Sequence, residues 1–173
     1  MILMKIKFIF KKCTIEDYCS CTSQIFSHKR KINMLTIKRL SIEDAKKLIE
    51  GARARANEIG IPMCIAIVDE SGQLIAFERM NGGKVTSAII AQDKAYTAAG
   101  AKKATHEYNE ACQPGNLVFG IHTAIGGRLC VVGGGLTVKV DGEVVGGIGL
   151  SSGTPQQDMD CAQAGIDHFL TKL

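Results

Sequence analysis

The sequence predicts an α+β fold in which one antiparallel β-sheet is covered by helices. Two hairpins support this prediction, because strands joined by tight turns are antiparallel neighbours. The first hairpin spans residues 63–80 around a turn at residues 69–72, and the second turns at Asp141-Gly142, a dipeptide typical of type I′ turns. One helix precedes the first hairpin and another follows the second, an order of elements expected of an α+β domain.

The first helix is predicted to begin after Ser41. Ser41 would cap it with Asp44 as the capping-box partner, and apolar residues recur at helical spacing until Gly60 ends the helix. One face of this helix is therefore expected to be buried. A short, marginal strand at residues 35–38 would precede it.

Two further helices are predicted in the middle of the chain. Thr86 would cap a helix that runs to about residue 99, with a stripe of alanines on one face and a second, half-apolar face. Such a helix is expected to contact both its own sheet and another subunit. A shorter helix capped by Thr105 would end near Cys112, and strands would follow at residues 128–132 and 136–140.

The last strand and the helix after it form the most informative stretch of the chain. The strand at residues 143–150 carries three interior glycines, Gly146, Gly147 and Gly149. Interior glycines are favoured where another backbone or a ligand approaches closely. Thr154 would cap the following helix, with Pro155 at its first position and Gln157 as capping partner. This helix start could bind an anion on its free N–H groups. The predicted sheet has about five strands.

Composition limits the class of protein. The 173 residues are 46% hydrophobic and 22% charged, which fits one globular domain, and no 18-residue apolar run predicts a membrane span. Residues 1–33 hold seven basic and two acidic residues, whereas the rest of the chain holds fourteen and fifteen. A nearly neutral body argues against a nucleic-acid partner. Seven cysteines without an export signal predict a reduced, cytoplasmic protein.

Residues 1–33 are predicted to be an extension, flexible or non-native, and the domain would comprise residues 34–173. One hypothesis for the extension is a metal clip formed by Cys13, Cys19, Cys21 and His28. Their spacing fits no recognised zinc pattern.

Residues 149–153 match the G-x-S-x-G elbow of serine hydrolases, with Ser151 as the candidate nucleophile. The only later histidine, His168, lies far along the same predicted helix, and an elbow requires a parallel sheet. A hydrolase is therefore disfavoured. His106 and Glu110 could share a metal on one helix face, but two ligands do not make a site.

Three other side chains are candidates for ligand binding. His122 lies in an apolar run where it could ligate haem iron, and a core or interface histidine is the commoner alternative. Arg79 and Lys94 could bind a carboxylate or phosphate, and Thr97 lies one turn after Lys94. An alternative of equal weight is that the two cations are exposed charges or form ion pairs between subunits.

Ordered motifs in this sequence resemble the GlcG/HbpS-like domain family, which also forms the C-terminal part of PduO-type adenosyltransferases. The matching stretches are RMNGG at 79–83, KAYTA at 94–98, GGG at 133–135, GGIGLS at 146–151, and QD at 157–158 with small residues after it. The resemblance covers residues 35–173. It implies a profilin-like α/β/α layering with a five-stranded antiparallel sheet, homo-oligomers, and haem or tetrapyrrole binding in some members. It also implies a genetic association with glycolate or diol and glycerol metabolism.

Two departures from the family pattern limit what the resemblance implies for this chain. Asn81 replaces an acid, and Gly83 replaces an alanine. The chain also lacks an adenosyltransferase domain, so ATP:cobalamin chemistry does not carry over.

The favoured hypothesis is a cytoplasmic, homo-oligomeric domain that binds haem or a corrinoid. One alternative is an enzyme that degrades haem or acts on a small anionic metabolite, although the sequence contains no catalytic constellation. Another alternative is an assembly protein without a ligand. No metal site is predicted for the domain. The candidate ligand-binding residues are Arg79, Lys94, Thr97, His106, His122, Ser151, Gln157 and Asp158.

Overall fold

The computed structural model describes residues 34–173, so the hypothetical metal clip and the predicted extension lie outside the described residues. The helices are α1 (Ile42–Glu58), α2 (Ser87–Gly100) and α3 (Pro155–Leu170). The strands are β1 (Cys64–Asp69), β2 (Leu74–Arg79), β3 (Gly135–Val140) and β4 (Glu143–Ser151). Three short 3₁₀ turns lie between α2 and β3, at Thr105–Tyr108, Ile121–Thr123 and Ile125–Gly127. No helix among the described residues is long and apolar enough to cross a bilayer.

The described sheet is antiparallel throughout, with the strand order β2-β1-β4-β3. Both predicted hairpins are present, and Asp141 and Gly142 have the positive φ angles (52° and 79°) that a type I′ turn requires. The mixed α+β class is confirmed. The predicted count of five strands is wrong, because the described sheet contains four.

Two predicted strands are absent from the described sheet for identifiable reasons. At residues 35–38 no ladder forms, and the chain meets the sheet instead through one backbone hydrogen bond, from the Leu40 N–H to the Val145 carbonyl at 3.3 Å. At residues 128–132 the Thr97 hydroxyl bonds the Arg128 carbonyl and the Cys130 N–H. These are backbone groups that a neighbouring strand would otherwise use.

The predicted caps of α1 and α3 are confirmed. The Ser41 hydroxyl accepts the Asp44 N–H, and Thr154 forms the same motif with Gln157. The predicted helix after Thr86 is present as α2 and begins directly after that residue, although Thr86 has a helical backbone and makes no side-chain cap bond. The predicted helix capped by Thr105 is wrong, because Thr105 is the first residue of a four-residue 3₁₀ turn. The Thr105 hydroxyl accepts the Gly135 N–H at 3.0 Å instead.

Helices cover both faces of the sheet, which gives three layers. On β1, the side chains of Ile65 and Ile67 pack with α1 and α3, whereas Cys64, Ala66 and Val68 pack against α2. Strand β1 is therefore buried on both faces, as its continuous apolar sequence indicates.

The glycines of β4 allow α2 to lie very close to the sheet. A Cβ atom on Gly149 would overlap the Ala91 carbonyl oxygen, and one on Gly147 would lie 2.6 Å from the Ala95 carbonyl oxygen. The close neighbour of these glycines is thus the backbone of α2, and it leaves no space there for a ligand.

A buried ion pair joins α2 to the start of α3. The Lys94 ammonium donates to Asp158 Oδ2 at 2.7 Å and to the Leu150 carbonyl at 2.8 Å. Asp158 Oδ1 accepts the Gly153 N–H at 3.0 Å. The two side chains are only 2% and 3% exposed, so each charge is stabilised by the other and by backbone dipoles rather than by water.

We expect Gly149→Ala to destabilise the protein, because the added methyl group must push α2 away from β4. The expected loss is about 1–3 kcal/mol in the free energy of unfolding, measured by urea denaturation. Gly100→Ala is the matched control, since a Cβ there would meet no atom within 4 Å, and it should keep or slightly raise stability. Equal stability of the two variants would contradict the close approach.

We expect Lys94→Met to destabilise the protein by about 3–5 kcal/mol, because it leaves the buried Asp158 carboxylate without its partner. The double variant Lys94→Met/Asp158→Leu should recover part of this loss, since no buried charge remains. Lys46→Met is the control, because it removes only the exposed ion pair with Glu43. Urea unfolding of the three variants tests the pair, and a Lys94→Met protein as stable as the control would refute it.

Candidate functional site

The predicted ligand-binding residues do not form one cluster. Four of them meet where β4 ends and α3 begins, namely Lys94, Ser151, Gln157 and Asp158. Two belong to a groove beside α2, where His122 lines the cavity and Thr97 holds its wall. Arg79 lines a different cavity, and His106 lies exposed in the 3₁₀ turn at Thr105–Tyr108 and lines neither of these two cavities.

The polar groups at the start of α3 have partners within the protein. Lys94 and Asp158 bind each other, and Gln157 Oε1 accepts the Thr154 N–H at 2.9 Å as part of the helix cap. Ser151 is buried at the end of β4, opposite Cys64 of β1. In this arrangement these groups stabilise the junction of α2, β4 and α3, and ligand binding by them stays a prediction.

The groove beside α2 has a volume of about 340 Å³. Helix α2 forms one side through Ile90 and Asp93, and the loop before β3 forms the other through His122, Gly127 and residues 129–132. Its walls are largely aliphatic. The exposed His122 imidazole lies at this groove, with the Phe119 ring edge-on to it at a centroid distance of 6.4 Å. We call this cavity the His122 groove.

Glycines shape the loop that forms the outer wall of the His122 groove. Gly120, Gly126 and Gly127 have φ angles of 90°, 67° and 83°, a region in which residues with a Cβ are strained. The loop therefore turns twice within eight residues and presents His122 and the segment 129–132 towards α2.

Three side chains of α2 fasten this loop. The Thr97 hydroxyl donates to the Arg128 carbonyl at 3.2 Å and accepts the Cys130 N–H at 2.8 Å. The Arg128 guanidinium donates to Asp93 at 3.1 Å and lies 4.0 Å from the centre of the Tyr96 ring. Thr97 is almost fully buried and supports the groove through the loop, and ligand binding by it stays a prediction.

The ligating groups that the groove offers are an imidazole, a thiol and the Asp93 carboxylate, which is paired with Arg128. Burial raises the pKa of the Cys130 thiol, which therefore stays protonated near neutral pH and is a poor metal ligand. The His122 imidazole is exposed, and its ring nitrogens are good ligands for transition metals. Within residues 34–173, no cluster of three His, Cys, Asp or Glu side chains is arranged to hold a metal ion by itself.

Several residues of the groove were not predicted from the sequence. Asp93, Tyr96 and Arg128 hold or line the groove, and the segment 129–132 was predicted as a strand. The Gly126-Gly127 pair directly before Arg128 is the sequence signal that favours a turning loop over a strand at this position.

The comparisons with known proteins agree with this fold. The family model described as "Haem degrading protein HbpS-like" matches residues 40–167. A 15.0 kDa protein in the dhaT-dhaS intergenic region of Citrobacter freundii is 37% identical over 130 residues, which cover 75% of this chain and 92% of that protein.

Two further relatives are related to PduO. The corrinoid adenosyltransferase PduO of Salmonella typhimurium is 37% identical over 127 residues, which cover 73% of this chain but only 38% of that enzyme. The solved PduOC:haem complex superimposes with a TM-score of 0.73 at 36% identity, over 75% of this chain and 94% of that one. The chain therefore belongs to the HbpS-like family, and the resemblance found in its ordered motifs is confirmed.

Proposed function

We propose that this protein is a homo-oligomeric binding domain for haem or a related tetrapyrrole, and that the His122 groove is its binding site. The observation that carries the proposal is an exposed imidazole beside an aliphatic groove. The haem complex of the PduOC relative, 36% identical to this chain, supports the choice of ligand.

The residues of the groove fit this ligand by their chemistry. Ile90, Leu129 and Val131 offer apolar surface to a flat macrocycle, and His122 offers a nitrogen ligand for its iron. Bound haem would supply an iron centre whose properties depend on that axial ligand and on the polarity around it. The protein's own residues would bind and orient the ligand, with Thr97 and Arg128 keeping the wall in place.

A second copy of the chain would complete the site. The described surface carries large exposed apolar side chains just before α2, on α2 and on the loop before β3, namely Val85, Ile89, Ile90, Leu117, Phe119, Ile125 and Val132. Ile90 and Val132 belong to both this surface and the His122 groove. Exposed apolar surface of this kind is typical of protein interfaces, and a partner seated on it would cover a groove that is open on one side. The proposal also includes a cytoplasmic location and an accessory role in glycolate or diol and glycerol metabolism, as the family resemblance implies.

We expect the protein to bind haemin with a sharpened and shifted Soret band, and His122→Ala to weaken binding at least about tenfold, because one axial bond is lost. His106→Ala is the matched control, since that histidine is also exposed but does not line the His122 groove. Haemin titration followed by absorbance measures both effects, and cobalamin titrated in parallel tests a corrinoid. Unchanged affinity in His122→Ala would reject the groove as the site.

We expect the protein to sediment as an oligomer, and Ile89→Lys to shift it towards monomers, because a charge would be buried at the interface. Leu170→Lys is the control, since Leu170 is an exposed apolar residue at the end of α3, which packs on the opposite face of the sheet from α2. Sedimentation velocity at several concentrations distinguishes the outcomes. A monomeric wild-type protein, or equal effects of the two substitutions, would contradict the proposal.

A further inference from the structure

A cavity of about 220 Å³ lies where α2 ends, between the turn that joins β1 to β2 and the loop before β3. Its walls are formed by Ser71, by Tyr96, Gly100 and Ala101 at the end of α2, and by Ile125 and Leu129. Leu129 also lines the His122 groove, so the loop at residues 125–129 contributes to both cavities. We call this space the Tyr96 cavity.

Contacts within the chain hold the walls of the Tyr96 cavity in place. The Arg128 guanidinium lies 4.0 Å from the centre of the Tyr96 ring, and a Cβ added to Gly72 would lie 2.7 Å from that ring. The ring is packed against both neighbours, which restricts its rotation. The Thr97 hydroxyl fastens the loop through the Arg128 carbonyl and the Cys130 N–H. A ligand that enters a cavity with fixed walls loses little affinity to the ordering of side chains.

Ile125 has a strained backbone at this cavity. Its φ of 56° lies in the left-handed region, where a β-branched residue is a genuine outlier. The side chain is 57% exposed, so burial in the core does not compensate the strain. Residues in such conformations cluster at sites that hold ligands, where the strain is part of the function. The conformation of Ile125 therefore points to a role in binding.

The lining of the Tyr96 cavity is neutral, because none of its residues is acidic or basic. A cationic ligand is disfavoured by the Arg128 guanidinium on the Tyr96 ring. An anionic ligand is disfavoured by the negative end of the α2 dipole and by the Asp69 carboxylate, which accepts the Ser71 hydroxyl at 2.6 Å. The charges around the cavity therefore favour a neutral molecule.

Unpaired hydrogen-bond acceptors lie at the Tyr96 cavity. Gly100 has no side chain, so it lines the cavity with its backbone. The carbonyls of Gly100 and Ala101 accept no hydrogen bond from any group among residues 34–173, whereas the three carbonyls before them accept N–H groups of residues 101–103. The Ser71 hydroxyl donates its hydrogen to Asp69, which leaves its oxygen as a further acceptor. A ligand that carries a hydroxyl donor complements this set.

We propose that the Tyr96 cavity binds a small neutral molecule with one apolar ring and one hydroxyl group. The volume suits a single ring, since an apolar cavity of about 150 Å³ in another protein is large enough to hold benzene. The ring lies against Tyr96, Ile125 and Leu129, and the hydroxyl donates to a carbonyl at the end of α2. Ile125 also belongs to the apolar surface proposed as an interface, so a second copy would lie next to the bound ring.

Titration of isotope-labelled protein with phenol, followed by the NMR shifts of its backbone amides, tests this proposal. We expect saturable shifts at Gly100, Ala101 and residues 125–129, with a Kd of about 1 mM. Toluene has the same shape without the hydroxyl and should bind about fivefold more weakly, because one hydrogen bond is lost. Benzoate and benzylammonium should each bind at least about tenfold more weakly than phenol, because each would bring an unpaired charge into a neutral cavity.

Three results of this titration would each overturn the proposal. The first is the absence of saturable shifts at up to about 20 mM phenol. The second is a set of saturable shifts that leaves out Gly100, Ala101 and residues 125–129. The third is binding of toluene, benzoate or benzylammonium that is as tight as the binding of phenol.

A variant places the ligand in the cavity. Gly100→Leu should weaken phenol binding at least about tenfold, because a side chain on this lining residue takes up space in the cavity. A Cβ at Gly100 would meet no atom within 4 Å, so the variant is expected to fold. Ala54→Leu is the matched control, since it adds a leucine at an exposed position of α1, on the other face of the sheet.

Unchanged phenol affinity in Gly100→Leu, or an equal loss in Ala54→Leu, would contradict the assignment. The Tyr96 cavity does not depend on the proposed haem site. His122→Ala should therefore leave phenol binding intact while it weakens haemin binding, so failure of one site is distinguishable from failure of the other.

Discussion

The contact between Lys94 and Asp158 is the constraint on which the rest of the structure depends. Both charges are removed from water, and transfer of an unpaired charge into a protein interior is costly. Each charged side chain is therefore stable in the interior only when it is paired with the other. This pairing holds α2, the end of β4 and the start of α3 together. Lys94 is thus held by groups of its own chain, whereas His122 and Arg79 line surface cavities.

Local features of the fold could be predicted from the sequence, and features that depend on distant partners could not. The caps at Ser41 and Thr154 and the turn at Asp141-Gly142 are determined within four residues, and the structure contains all three. The capping of a helix by Thr105 was wrong because its hydroxyl bonds Gly135, thirty residues away. Residues 128–132 were wrong as a strand because Thr97 binds their backbone groups.

The same distinction applies to the candidate sites. Sequence motifs identified Lys94 and Asp158 as special, but charge and spacing do not reveal that two residues sixty-four positions apart satisfy each other. His122 was identified by its apolar neighbours, whereas the groove around it depends on a loop conformation set by Gly126 and Gly127. Arg79 was identified as a possible anion ligand, and only the structure shows that it lines a cavity together with residues of α1.

The glycines of β4 have a consequence for the proposed association of this chain with a second copy. Because α2 lies almost on the strand, the part of its inner face above these glycines carries alanines, and its bulky aliphatic residues lie on the outside. The inner face of α2 is thus already packed against the sheet before a partner covers the outer face. A surface that is already ordered loses little conformational freedom when a partner arrives, so more of the free energy gained by burying Ile89 and its neighbours remains as affinity.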